Sequence, residues 1–370
     1  MTAETVAEPS AEYTQLRLAS ANGPVYRSVK RTPLRDALPS EIPLIDVSGI
    51  FSDSFTERKA VADQVHAAAT NNGFFYIKSH GIPSDVTESA YQACLDFFRQ
   101  PSSIKNMANA QNSQFYNGWK PPQSQRINDV ESIDVRETFS WTYNPRYDPA
   151  VTDVSAIPPN ISECLRVEET HWEATSNVPH FKASIVQYWQ SCLSLARALV
   201  HTFALSLSLP ESYLDSKFTH PDAALALNYY PPIPEPLTQS SEEQVSIGSH
   251  TDFQLFTILW QDRAGGLQVL NRDGQWINAK PIDGTFVVNI GDYLQRITND
   301  KYVSTVHRAQ NRSGGERVSM PFFFGFNLNE KCGVLESCCG KDDPPKYEEV
   351  SCKEWVERRV RAMHRTEKER

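Results

Sequence analysis

The sequence predicts a mainly β fold with flanking α-helices, in which a core of sandwich or jelly-roll type follows a helical N-terminal lobe. Between Ala223 and Leu328 the apolar pattern has a period of two, and β-branched and aromatic residues dominate VSIGSHTDFQLFTILW, GLQVL, QWINA, GTFVVNI, STVHRAQ and VSMPFFFGF. Short strands at close spacing, divided by Gly, Asp and Asn turns, describe such a core. Upstream of Leu209 the pattern is that of helices interrupted by two short strands.

Residues 1–41 are polar and rich in Ser, Thr, Pro and Ala, and are expected to form a flexible arm. IPLIDVSGI, residues 42–50, reads as a short strand closed by Ser48 and Gly49. After the cap candidates Ser52, Asp53 and Ser54, Val61, Val65, Ala68 and Ala69 recur at helical spacing until Gly73. GFFYIKSHGIP is a second strand, and Ser84 opens a helix that must stop before Pro101. The segment 101–175 is irregular, rich in Asn, Gln, Ser, Asp and Pro with scattered aromatics, as lids and pocket walls are. From Pro179 to about Leu209 a helix is apolar on most faces and must be buried on several sides. A last amphipathic helix follows Pro345, with a basic end at Arg358, Arg359 and Arg361 that reads as a solvated surface. The organisation expected is an arm (1–41), an N-terminal lobe with pocket-wall segments (42–175), the long helix with the jelly-roll core (176–330), and a helical extension (331–370).

The 36 Lys and Arg against 45 Asp and Glu leave a formal charge of -9, which repels phosphate backbones and anionic lipid and argues against nucleic-acid or membrane partners. No run of eighteen apolar residues suits a membrane span, and the first 25 residues lack the basic and apolar regions of a signal peptide. RTEKER at the C-terminus holds no retention or peroxisomal tripeptide. Seven cysteines without a C-x-x-C pair read as reduced thiols, so a cytoplasmic location is expected. Four of them lie between Cys332 and Cys352, but no His accompanies them and adjacent Cys338 and Cys339 are poor joint ligands, which disfavours a zinc clip.

Three His-x-carboxylate triplets occur. His171-Trp172-Glu173 lies where a helix would turn its ends apart, and His220-Pro221-Asp222 holds a proline that disfavours a strand. Only His250-Thr251-Asp252 sits in a strand pattern, where residues two apart share a face. His307, in the strand-like STVHRAQ 55 residues after Asp252, supplies a third candidate ligand. Two His and one carboxylate form a facial triad suited to non-haem iron(II), with open positions for other ligands. A zinc hydrolase would more usually offer H-E-x-x-H on one helix, and the chain has none. Ten residues beyond His307, Arg317-Val318-Ser319 places a guanidinium and a hydroxyl on one face, suited to clamping a carboxylate. Asn228 and Tyr230, in N-Y-Y-P-P, share another face.

This ordered set resembles the isopenicillin N synthase-like branch of the 2-oxoglutarate/Fe(II)-dependent oxygenases, as do IPLIDVSGI, NNGFFYIKSHGIP and GDYLQRITNDKYVSTVHR. The resemblance covers roughly residues 42–328 and implies a distorted double-stranded β-helix (jelly roll). It implies that His250, Asp252 and His307 bind Fe(II), that Arg317 and Ser319 hold the distal carboxylate of 2-oxoglutarate, and that Tyr230 and Asn228 lie near this co-substrate. With O2 as second co-substrate, such an enzyme oxidises an unactivated C–H bond of a small molecule and releases succinate and CO2. Hydroxylation, desaturation and rearrangement are all open, as is the substrate, for which a natural-product intermediate is the class suggested. The alternative is a 2-oxoglutarate-independent oxidase of the isopenicillin N synthase or 1-aminocyclopropane-1-carboxylate oxidase type. Oligomeric state is left open, a monomer being compatible with the sequence. Pocket walls are expected from residues 101–145, Tyr293 to Arg296 and Phe322 to Phe324.

Overall fold

Side chains on a strand alternate between faces, and in this protein both faces of the central strands are buried. The computed structural model describes residues 12–21, 23–232 and 245–364. The strand Arg317–Phe324 lies between Phe256–Gln261 and Ala223–Tyr230, antiparallel to both. These three belong to an eight-stranded sheet continued by Phe286–Ile290, Phe74–Lys78 and Leu44–Asp46 on one side, and by Glu137–Trp141 and Gly118–Lys120 on the other. A second sheet of five strands runs in the order Arg35–Asp36, Trp276–Asn278, Leu267–Leu270, His307–Ala309, Ile247–His250. The two sheets share a small apolar core that includes Phe74, Leu259, Val269, Ile277 and Val287. This is the expected jelly-roll architecture with flanking helices.

The outer face of the large sheet is covered by helices. Ser54 caps the first by accepting a bond from the Glu57 amide, and that helix runs Phe55–Asn71. Ser84–Phe98 stops three residues before Pro101. The 26-residue helix Phe181–Ser206 buries Ile185, Tyr188, Trp189, Leu193 and Leu199 against Ile258, Val288, Met320 and Phe322 of the sheet. Its two polar aromatic tips are satisfied there: the Tyr188 hydroxyl donates to the Met320 carbonyl (3.1 Å) and the Trp189 indole to that of Ala223 (3.2 Å). No helix among the described residues is long and apolar enough to cross a membrane.

The reading of residues 1–41 as a loose arm is corrected over 13–36, while residues 1–11 lie outside the described part. Tyr13–Leu18 pairs with Val25–Lys30 as an antiparallel hairpin, and Arg35–Asp36 joins the smaller sheet beside Trp276–Asn278. YTQLRL and VYRSVK alternate with a period of two. Their apolar residues are few, yet Leu18 and Val29 complete a cluster with Leu270, Trp276 and Val306 that other strands begin. Arg17 also reaches Asp129 in the pocket-wall segment at 2.5 Å. Leu18→Ala is therefore expected to cost about 2 kcal/mol, read as a lower urea midpoint at unchanged slope. An unchanged midpoint would mean that the hairpin does not pack in solution.

Candidate metal centre and co-substrate pocket

In the antiparallel pairing of Ile247–His250 with His307–Ala309, His250 faces His307, and the two rings lie 4.3 Å apart between centroids. The His250 Nδ1 meets the Gly248 carbonyl at 2.8 Å, and the His307 Nδ1 meets that of Thr305 at 3.1 Å. A carbonyl can only accept, so each Nδ1 carries the proton and each Nε2 keeps its lone pair for a metal. Asp252 was expected on the same strand as His250, but that strand ends at His250. Asp252 belongs to the following turn, held by an Asp292 amide that donates to its carbonyl at 2.8 Å. The carboxylate still converges on the imidazoles, with Oδ1 3.7 Å from the Nε2 of each.

The other oxygen, Oδ2, accepts from the Thr257 hydroxyl at 2.5 Å and the Asn289 amide at 2.7 Å, which leaves Oδ1 to face the histidines. Burial works against the charged form of Asp252, but the two imidazoles and these two donors outweigh it and hold the carboxyl below its usual range. Burial and the neighbouring His307 push His250 well down, favouring neutral imidazole. An ionised carboxylate beside neutral imidazole is the protonation state in which a metal is bound. The three ligand atoms lie within 4.8 Å of one another, the one such group of His, Cys, Asp or Glu among the described residues, and could hold an iron ion. His171 lies instead in the short helix Thr170–Glu173, buried against Trp172. In the His220 triplet, Asp222 pairs with Arg166 and accepts from Gln254. All seven cysteines are free.

The triad opens into a cavity of about 90 Å3 whose lining includes all seven residues singled out in the sequence: Asn228, Tyr230, His250, Asp252, His307, Arg317 and Ser319. Arg317 is 1% exposed, yet no carboxylate lies within ion-pair distance of it among the described residues. Its guanidinium lies 4.5 Å from the centre of the Tyr230 ring, contacts the Ser319 hydroxyl and the Gln261 side-chain oxygen at 3.4 Å each, and donates from Nε to the Gly265 carbonyl. The backbone beside it depends on glycine. Gly266 has φ +94°, and a Cβ there would stand 2.3 Å from the Gln310 carbonyl oxygen.

Of the expected pocket walls, residues 101–145 supply Ile127 and Arg136, and of Phe322 to Phe324 only Phe323 lines the cavity, because Phe322 and Phe324 point to the helices. Tyr293 and Arg296 do not line the cavity. Their tips bond the carbonyls of Val350 and Glu348 in the C-terminal segment. The sequence reading missed Thr257 and Asn289, whose only signal was a polar side chain inside an apolar strand. It also missed Arg136, and it misjudged Arg359, which is 3% exposed. Arg359 pairs with Asp292 at 3.0 Å, donates to the Thr251 hydroxyl at 3.1 Å and reaches the Ala19 carbonyl at 2.6 Å. It thereby ties the C-terminal helix and the N-terminal hairpin to the turn that carries Asp252.

Residues 221–326 match the family model of the 2OG-Fe(II) oxygenase superfamily, and residues 42–161 match the N-terminal model of non-haem dioxygenases in morphine synthesis. The chain is 59% identical, over 97% of its length and 97% of the relative's, to the 2-oxoglutarate-Fe(II) type oxidoreductase ppzC of Metarhizium majus. It is 30% identical to the 2-oxoglutarate-Fe(II) type oxidoreductase hxnY of Emericella nidulans, over 86% of this chain and 89% of that one. The crystal structure of a full-length Neurospora crassa protein in complex with alpha-KG superposes with a TM-score of 0.73 at 24% identity, covering 90% of this chain and 100% of that one, a likeness of fold. With a triad that could hold iron in such a core, and with relatives of this identity along its whole length, the chain belongs to the 2-oxoglutarate-Fe(II) oxygenase superfamily and is an iron- and 2-oxoglutarate-dependent dioxygenase.

Proposed function

We propose that His250, Asp252 and His307 hold Fe(II), and that Arg317, with Ser319 and Tyr230, receives the distal carboxylate of 2-oxoglutarate. The observation that carries this assignment is the buried Arg317 guanidinium, which has no carboxylate partner among the described residues and lies in the cavity that the triad lines. A buried, unpaired guanidinium is costly, and a planar fork beside a hydroxyl suits a carboxylate. Bound iron supplies the oxidising chemistry, coupling O2 and 2-oxoglutarate decarboxylation to attack on a substrate C–H bond. The chain contributes geometry and exclusion of water. Asn289 and Thr257 fix which Asp252 oxygen meets the metal, and Leu259, Leu267, Pro321 and Phe323 give the cavity apolar walls.

The finer family reading is the isopenicillin N synthase-like branch, supported by the order of motifs from IPLIDVSGI through Arg317-Val318-Ser319. The substrate is a small molecule, in this reading an intermediate of natural-product biosynthesis. The small cavity and the likeness to an N-terminal family named for morphine synthesis support that class. Free thiols throughout support a cytoplasmic setting.

Three experiments test the assignments. Replacing His250, Asp252 or His307 by Ala is expected to abolish substrate-stimulated succinate release and to weaken Fe(II) binding sharply, while His171→Ala and His220→Ala keep the ferrous site. Full turnover in His307→Ala would refute the ligand set. Asn289→Leu leaves the ligand in place but frees its carboxylate to rotate. Fe(II) affinity should fall by about 10–100-fold, and an unchanged affinity would show that Asn289 does not orient Asp252. Arg317→Met should cost roughly 3–5 kcal/mol, or about two or more orders of magnitude in the apparent 2-oxoglutarate affinity. Arg317→Lys should be intermediate, with iron binding retained in both. If Arg317→Met raised the Michaelis constant of the organic substrate alone, Arg317 would be clamping that substrate instead.

A further inference from the structure

The cavity holds a second buried arginine that neither the metal nor the proposed co-substrate seat employs. Arg136 is 9% exposed and lines the same cavity as the triad. In the antiparallel ladders Ser319 and Thr138 stand opposite Asn228 from its two sides, in the order Ser319, Asn228, Thr138 across three adjacent strands. Arg317 and Arg136 each precede the outer member of that row by two residues, Arg317 opening its strand and Arg136 lying one residue before Glu137–Trp141, with the strand that carries Tyr230 between them. Strand spacing puts their backbones roughly 10 Å apart, and each guanidinium is held by its own partners, Arg317 by Gly265, Ser319 and Gln261 and Arg136 by Thr138 and Asn228.

Part of Arg136 is held by the protein. Its Nη1 donates to the Thr138 hydroxyl at 2.9 Å and to the Asn228 side-chain oxygen, which also accepts from Thr138 at 3.0 Å. This fixes the fork in one orientation. The charge is less well served. Asp134 Oδ2 is the carboxylate oxygen beside it, 3.7 Å from Nε, beyond hydrogen-bond range, and both of those buried atoms lack a hydrogen-bond partner among the described residues. Burial raises the Asp134 carboxyl, against the Arg136 charge and the Gly248 and Ile127 amides, which work to lower it. An oriented, largely buried guanidinium that lines a cavity is a ready seat for an anion.

We propose that Arg136 anchors a carboxylate of the organic substrate, which makes that substrate a small carboxylic acid. This rests on the reading of Arg317 as the 2-oxoglutarate seat, which leaves Arg136 for the molecule to be oxidised. The compact cavity, with Ile127, Ala226 and Ile247 on its walls, selects for small size. Arg136 is a binding residue that sets specificity and orients the substrate relative to the metal.

The test uses the full chain loaded anaerobically with Fe(II) and 2-oxoglutarate, whose visible absorption band reports first that the co-substrate complex has formed. Propionate, lactate and alanine are titrated in, each against its primary amide, and binding is read from the perturbation of that band and by calorimetry. At least one acid should bind saturably, with its amide at least tenfold weaker. In Arg136→Gln the band should still form with 2-oxoglutarate, and the preference for acid over amide should disappear. Arg136→Lys, which keeps the charge, should restore part of it. Absence of the band in the unmodified enzyme would mean that the metal and co-substrate reading has failed. A normal band with no preference for any acid, or a preference that survives Arg136→Gln, would overturn the carboxylate anchor. Loss of 2-oxoglutarate affinity in Arg136→Gln would assign Arg136 to the co-substrate and overturn it equally.

Discussion

The two-residue period of the central strands is the constraint on which the rest of the molecule depends. Along Arg317–Phe324 the residues Val318, Met320, Phe322 and Phe324 enter the core beneath the long helix, whereas Arg317, Ser319, Pro321 and Phe323 line the cavity. Neighbouring strands divide in the same way: Phe256 and Ile258 face the helices, Thr257 and Leu259 the cavity, with Val288 and Asn289 split likewise. A slip of one residue would exchange the two sets. It would carry Arg317 into an apolar interface and remove several large side chains from the core, each worth about 1.5–3 kcal/mol. Core packing thus fixes the register, and the register fixes the site.

Charge is distributed unevenly over this interior. Away from the cavity, Lys105 sits 2.5 Å from Glu137, which also accepts from the Trp119 indole at 2.7 Å, and Arg296 lies over the Tyr347 and Trp355 rings and donates to the Glu348 carbonyl. Inside the cavity charge is less well matched. Asp252 directs one oxygen at two imidazoles, Arg317 has no carboxylate partner among the described residues, and Arg136 has only a misaligned one. Unpaired buried charges are unfavourable, so a stable protein that carries them gains most from ligands that complete them. A divalent cation and carboxylates are the complementary set, which is the physical sense of an iron and 2-oxoglutarate enzyme built around these residues.

The chain ends contribute to the same region. The N-terminal hairpin and the C-terminal helix meet through Arg359, whose other contacts are Asp292 and Thr251. Thr251 separates His250 from Asp252, and the Asp292 amide holds the Asp252 carbonyl. The turn that presents the carboxylate is therefore braced from outside the jelly roll by segments far away in sequence. Its neighbour, the pocket-wall segment, is braced similarly: the Asn128 side chain donates to the carbonyls of Arg17 and Ser249.

By itself the sequence determined the local patterns: the period of two that makes strands, the apolar helix that must be buried, and the types and order of the candidate site residues in His250-Thr251-Asp252, His307 and Arg317-Val318-Ser319. Asn228, Tyr230, His250, Asp252, His307, Arg317 and Ser319 line one cavity: Asn228 with Tyr230, and Arg317 with Ser319, because side chains at spacing two on a strand share a face, and Asp252 because the turn after His250 brings its carboxylate back to the imidazoles. What needed tertiary structure was every pairing between distant segments. Asn289 and Thr257 carry no motif and matter only because their strands lie beside each other under Asp252. The hairpin from Tyr13 to Lys30 has too few apolar residues to announce itself, and packs because Leu270, Trp276 and Val306 are waiting for it. Arg359 read as one cation in a solvated run, and Arg136 as one more charge in an irregular stretch. Burial and unmatched charge are properties of a neighbourhood, and a neighbourhood assembled from segments 92 and 108 residues apart is decided only when the chain folds.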